Sequence, residues 1–145
     1  MQYLFPILIG TIGGAAIGFQ VPLSNITGQK LGTLSSVFLV HFFGTLVSLV
    51  ALIISGGENV RQWRSIALYP IIAGALGLII ISAFVFTIPR IGTTAALGIS
   101  IAAQLLISVL VDHYGLFEVT TRPLSIPRLS GIVLLLVGAW IVLKN

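Results

Sequence analysis

Residues 34–54 read LSSVFLVHFFGTLVSLVALII, with no Asp, Glu, Lys or Arg among them. A helix needs about 20 predominantly apolar residues to cross the hydrocarbon core of a bilayer. This stretch supplies that length and is closed by the stop Ser55-Gly56-Gly57. It predicts a transmembrane helix, and the chain repeats the pattern on either side.

Upstream, Tyr3 to Phe19 is another apolar run, with Pro6 in its first turn, where a missing N–H costs little. Beyond it Gln20, Pro22, Ser24, Asn25, Thr27, Gln29 and Lys30 bring polarity, yet Val21, Leu23 and Ile26 stay interleaved. The expectation is a helix over about 3–19 that kinks at Pro22 and continues as an amphipathic extension to residue 30. Downstream, Glu58–Arg64 is a charged connector, and apolar runs follow at 66–88, 91–111 and 128–143. Pro89-Arg90 divides the first two of these, and the loop Tyr114–Pro127, which carries Glu118, Arg122 and Pro123, divides the last two. Trp63, Tyr69, Tyr114 and Trp140 fall at or near run ends, as interfacial aromatics do. Only Met1 and Gln2 precede Tyr3, so there is no basic leader region and a cleaved signal peptide is not expected. The expected fold is an all-α integral membrane protein, a single polytopic domain over 1–145 with five transmembrane helices.

Composition requires the same class. Hydrophobic residues make up 57% and charged residues 7%, and the mean hydropathy is +1.18. Soluble domains carry about 25% charged residues. With no cysteine, disulfides and thiolate metal sites are excluded. The net charge of +4 comes from basic residues scattered singly between apolar runs. They read as membrane-surface charges and not as a nucleic-acid footprint.

Small residues predict where helices pack, because lipid tails give apolar helices no reason to associate and close backbone approach must do so. Gly10, Gly14 and Gly18 recur at every fourth position of the first helix, and Gly74 and Gly77 lie in the third. Ala96, Ser100, Gln104 and Ser108 form a similar row in the fourth, with an amide at its middle. Gln104 must bond across helices or line a wet cavity. His41, Thr45 and Ser48 share a face of the second helix. His41 lies a third of the way along it, which suits either an interfacial, solvated imidazole or a cavity group. Gln20 and Asn25 flank Pro22, where they either face a ligand or satisfy carbonyls freed by the kink. Gln20, Asn25, His41, Ser100, Gln104 and Ser108 are thus the candidate cavity residues.

With five crossings, Arg61, Arg64, Arg122 and Arg128 fall on one side, and Lys30, Arg90 and Lys144 on the other. Lys and Arg bias sets orientation, and four against three barely specifies it. Insertion in both orientations, with antiparallel pairing of two copies, is favoured over weakly fixed insertion. Such a pair supplies the inverted symmetry on which many transporters are built.

Enzymatic chemistry finds no footing. No Asp or Glu lies within a helix interior, the two histidines fall in different segments without HExxH spacing, and no GxSxG elbow is present. No metal or other cofactor is expected.

Several stretches resemble a known family. Gly18-Phe19-Gln20-Val21-Pro22-Leu23-Ser24-Asn25 is similar to the opening Gln…Asn signature of the YdcZ-like family of the drug/metabolite transporter superfamily. Ala103-Gln104-Leu105-Leu106-Ile107-Ser108, leading to Asp112-His113-Tyr114-Gly115-Leu116, resembles its most specific motif, an amide-bearing helix running into Asp-His-aromatic-Gly. Pro89-Arg90-Ile91-Gly92 followed by Thr93-Thr94-Ala95 resembles the tight turn between its third and fourth helices, and Phe42-Phe43-Gly44-Thr45 is also similar. The resemblance covers essentially the whole chain. It implies a five-helix unit of a dimeric transporter, found in such families as dual-topology single proteins, as oppositely oriented pairs or as fused chains. The layout also resembles the small multidrug resistance exporters, but their first-helix glutamate has no counterpart here, so their mechanism does not carry over.

The expected protein is therefore a small-solute transporter, an exporter by resemblance, in the inner or plasma membrane. Its partners are lipid, a second copy and an unidentified small-molecule substrate, with no nucleic acid. The alternatives are a non-transporting scaffold or assembly subunit, and a narrow channel. Asp112 and His113 enter as a gate or as a structural anchor.

Overall fold

Two glycines set the layout. The computed structural model describes residues 3–57 and 59–144, apart from the side chain of Leu143. Met1, Gln2, Glu58 and Asn145 lie outside the described residues, and with them the leader reading and the acid of the connector. Helix α1 (Leu4–Leu31) is joined to α2 (Thr33–Ile54) by Gly32 alone. Gly32 has φ +91°, a region that suits only a residue without a Cβ. Its N–H donates to the Gly28 carbonyl (3.0 Å), and its carbonyl accepts from Ser36 N (3.1 Å). One residue thus ends one helix and starts the next. Gly92, at φ +79°, repeats the device: it donates to Ile88 O (2.9 Å) and accepts from Ala96 N (3.1 Å).

The third span, Leu68–Ile91, is built from α3 (Leu68–Ile72), a 3₁₀ turn over Ala73–Ala75 and α4 (Leu76–Ile91). A short 3₁₀ stretch, Val60–Ser65, precedes it. After Gly92 come α5 (Thr93–Tyr114), a 3₁₀ turn at Leu116–Glu118, and α6 (Ile126–Lys144). The helices are longer than the apolar runs in three places. α1 passes through Pro22 to Leu31 without interruption. α4 likewise contains Pro89, and the break falls at Gly92 and not at Pro89-Arg90. α5 includes Asp112-His113 in its last turn, so this motif stands on a helix end and not beyond it.

Among the described residues, Leu4–Leu31, Thr33–Ile54, Leu68–Ile91 and Thr93–Tyr114 are the four helices long and apolar enough to cross a membrane. The apolar stretch of α6, Ile126–Val142, is shorter. Large apolar side chains such as Phe19, Phe38, Val47 and Leu134 stand exposed along these helices, as suits a lipid-facing surface. The protein is an all-α, multi-pass membrane protein.

The chain groups into two compact units, residues 1–87 and 88–145. In the first, α1 packs on α2, and Val37, Ile81 and Val85 form a buried cluster joined by Val40. Gly28 permits this packing, since a Cβ there would come within 2.5 Å of a Val85 methyl. In the second unit α5 packs on α6, and Gly98 faces the Cβ of Ala139 at 3.5 Å. At the membrane edges Arg64 lies over the Trp63 ring (5.4 Å) and Lys144 over the Trp140 ring (4.5 Å). Each pair places a charge and an amphipathic ring together, as interfacial anchors do.

Candidate functional site

In the first unit the polar groups divide into those spent on the fold and those left open. Ser36, with no exposed surface, donates from Oγ to the Ser24 carbonyl (2.7 Å) and so ties α2 to α1. Ser24 in turn donates to the Gln20 carbonyl (2.9 Å) one turn back. Gln29 Nε2 donates to the Val85 carbonyl (3.0 Å) and lies 3.4 Å from Asn25 Oδ1. Proline at position 89 has no N–H to offer the carbonyl four residues before it. That carbonyl belongs to Val85, so Gln29 supplies the bond that Pro89 withholds. This explains why α4 runs on through a proline.

Asn25 therefore meets another amide and not a freed carbonyl. The Gln20 side chain lies on a cleft of about 460 Å³, lined also by Phe19, Leu23, Thr27 and Val40. His41, the residue after Val40, hydrogen-bonds through Nδ1 to the Val37 carbonyl (2.8 Å). Its Nε2 lies against Gly77, where an added Cβ would fall on the ring. Gly77 thus has a contact, whereas a Cβ at Gly10, Gly14, Gly18 or Gly74 would meet nothing within 4 Å.

In the second unit Gln104 is exposed and donates to Ser100 Oγ (3.1 Å), one turn back on α5. One turn onward, Ser108 lines a cleft of about 280 Å³ between α5 and α6, and Asp112 and Arg128 lie on the same cleft. Asp112 Oδ2 accepts a charge-assisted bond from the Arg128 guanidinium. The same guanidinium donates to the Arg122 carbonyl (3.2 Å), and Arg122 N donates to the Asp112 carbonyl (2.8 Å). His113 accepts on Nδ1 from Leu124 N (3.3 Å) and stacks edge-on against Tyr114 at 4.9 Å. Asp112 and His113 thereby clip the α5–α6 loop back onto the end of α5. The loop can turn back because Gly115, Phe117 and Glu118 all have positive φ, between +57° and +64°. For Phe117 and Glu118 that conformation costs about 1–3 kcal/mol each.

The candidate cavity residues fall into two groups. Gln20, Asn25 and His41 belong to the first unit, and Ser100, Gln104 and Ser108 to the second. Gln29, Ser36 and Gly28 are missing from the sequence candidates. A signal for Gln29 did exist: a proline near a helix end leaves a carbonyl that needs a donor, and in a membrane that donor has to come from the protein. Among the described residues, no three His, Asp or Glu side chains lie close enough together to hold a metal ion.

A family model described as "Putative inner membrane exporter, YdcZ" matches residues 5–141. No curated protein and no solved structure matches the chain.

Proposed function

The chain belongs to the YdcZ family of the drug/metabolite transporter superfamily, and from that premise we propose that it exports a small solute as an antiparallel homodimer working by alternating access. The family is one of inner-membrane exporters and not of enzymes. The observation that carries the reading is the division among polar side chains. Ser24, Ser36 and Gln29 are spent on backbone carbonyls at helix contacts. Gln20 and Gln104 are exposed within membrane-spanning helices. An amide has four hydrogen-bonding positions, and one bond to Ser100 leaves Gln104 most of them. Against lipid, unspent amides are costly. Facing a second copy across a wet cavity, they hold a ligand near the midplane.

Five crossings with nearly balanced loop charge allow both orientations, and two oppositely inserted copies form the inverted pair that alternating access uses. α6 then serves as the fifth, shortest crossing, and Gln20 and Gln104 offer hydrogen bonds to a neutral or weakly charged ligand.

The test has two arms. A thermal-stability screen of purified protein against metabolites and drug-like cations finds the ligand, and proteoliposomes then report its flux. Saturable, ligand-dependent flux is the expected result. Flux that does not saturate identifies a channel, and the lack of both binding and flux identifies a scaffold. Gln62→Cys, in a chain with no native cysteine, is expected to label from both faces of the membrane. Labelling from one face alone overturns dual insertion.

A further inference from the structure

Among the described residues, His41 is the one titratable side chain well inside a membrane-spanning helix. It lies eight residues past the start of α2, about 12 Å along the axis. The others on these helices, Lys30, Tyr69, Arg90, Asp112, His113 and Tyr114, with Arg128 and Lys144 on α6, sit in or next to an end turn. Two contacts fix the imidazole. Nδ1 is 2.8 Å from the Val37 carbonyl. A carbonyl only accepts, so Nδ1 carries the hydrogen and the neutral ring has its lone pair on Nε2. Nε2 lies against the backbone of Gly77 in the facing span, a fit that depends on the absent Cβ.

We infer that His41 is an intramembrane proton-binding site, and that its two charge states require two different packings of α2 against the Leu68–Ile91 span. Protonation is a simple transfer: the Nε2 lone pair takes a proton from hydronium, and imidazole becomes imidazolium. The Nε2–H bond forms as an O–H bond of the hydronium ion breaks and leaves a water molecule, with no change of oxidation state. The new N–H then points at the aliphatic hydrogens of Gly77, which accept nothing. The charged residues of the packed helices cannot answer it either. Lys30, two residues before the Gly32 turn, and Arg90, 13 residues past Gly77, carry the same sign of charge as an imidazolium and cannot compensate it. Tyr69 is eight residues before Gly77, about 12 Å along the span. Within a membrane-spanning helix, a cation whose new N–H meets no acceptor is expensive. The imidazolium therefore leaves Gly77 for its exposed side. The neutral ring closes the helix contact and the cation opens it. Resting on the exporter reading, this switch names the proton as the coupling ion; the proton site itself is tested without any substrate.

The experiment is a pH titration of the wild-type protein in lipid nanodiscs, followed by NMR of the histidine ring nitrogens and the glycine α-protons. His41→Gln separates the two imidazoles. The expected result is that neutral His41 shows the Nδ1–H tautomer, that it titrates, and that the Gly77 resonances shift with the same midpoint while those of Gly74 do not. In His41→Gln the Gly77 shift is lost. If His41 stays neutral across the range in which the protein remains folded, or if Gly77 does not respond, the inference is overturned. Because this readout involves no flux, a protein that titrates as expected yet transports nothing sinks the exporter reading and leaves the proton switch standing.

Discussion

Gln29 gives its side-chain amide to the Val85 carbonyl at 3.0 Å, and Val85 stands four residues before Pro89. The two features explain each other. A proline within a helix removes one N–H, and in lipid no water replaces it. Gln29→Leu is expected to destabilise the protein by about 1 kcal/mol, the scale of a polar contact inside a membrane. Pro89→Ala restores an N–H for the same carbonyl, so in that background Gln29→Leu costs much less. A double-mutant cycle by thermal unfolding in detergent measures the coupling. Additive effects of the two substitutions would show that Gln29 does not serve the proline.

Gly28 faces the branched end of Val85, with contacts of 2.5 and 2.6 Å for an added Cβ. No rotation of a valine side chain clears both methyls at once. Gly28→Ala is expected to cost about 1–3 kcal/mol by overpacking. Val85→Ala should recover most of that loss in the double variant, because it removes the methyls that clash. If the double variant is no more stable than Gly28→Ala alone, the contact is not the cause.

Much of this architecture is legible in the sequence, and the reasons differ from segment to segment. The run 34–54 fixes α2 almost to the residue, since a helix in lipid needs a set length and a glycine stop. The third boundary reads differently. Pro89-Arg90 looks like a break, yet α4 continues to Ile91 because a glutamine 60 residues earlier repairs the ladder. Periodicity and propensity carry no trace of so distant a donor. Asp112 could be recognised as needing a cation, but Arg128 could not be singled out among His113, Arg122 and Arg128 until the loop's turn at Gly115 was in place. The glycine row of α1 shows the opposite limit: its regularity is plain, but among the described residues a Cβ at Gly10, Gly14 or Gly18 would meet nothing within 4 Å.

Gln104 is the sharpest test of the cavity. It is exposed at the middle of α5 and bonds Ser100 on its own helix, so its loss should leave the fold intact. Gln104→Leu is expected to fold and assemble as the wild type does, with ligand affinity reduced roughly 2- to 13-fold, the value of one neutral hydrogen bond. Thermal unfolding and binding of the ligand found by screening read the two effects separately. A variant that no longer assembles would place Gln104 in the subunit contact instead.

Asp112 and Arg128 are each placed against the dipole of their own helix. A carboxylate in the last turn of α5 and a guanidinium in the first turn of α6 are both unfavourable there, by about 0.3–1 kcal/mol apiece. Paired, each offsets the other, and the guanidinium also holds the Arg122 carbonyl. The side chains remain 25% and 34% exposed, so solvent screens the pair and its net worth stays near about 1 kcal/mol. Asp112→Asn keeps the shape and removes the charge. A structural anchor predicts a lower unfolding temperature with ligand affinity nearly intact. A gate, formed on one side of the transport cycle and broken on the other, predicts near-normal stability with an altered transport rate. Charge reversal divides the two more sharply. Asp112→Arg combined with Arg128→Asp rebuilds the pair with both charges favourably placed on their helices. For an anchor, the swapped protein is expected to regain wild-type stability and wild-type flux together. For a gate, stability returns but flux does not, because the reversed charges present the opposite sign to the Ser108 cleft as the pair opens. If Asp112→Asn changes neither unfolding temperature nor flux, both roles fail, and the pair is only a solvated contact at the membrane edge.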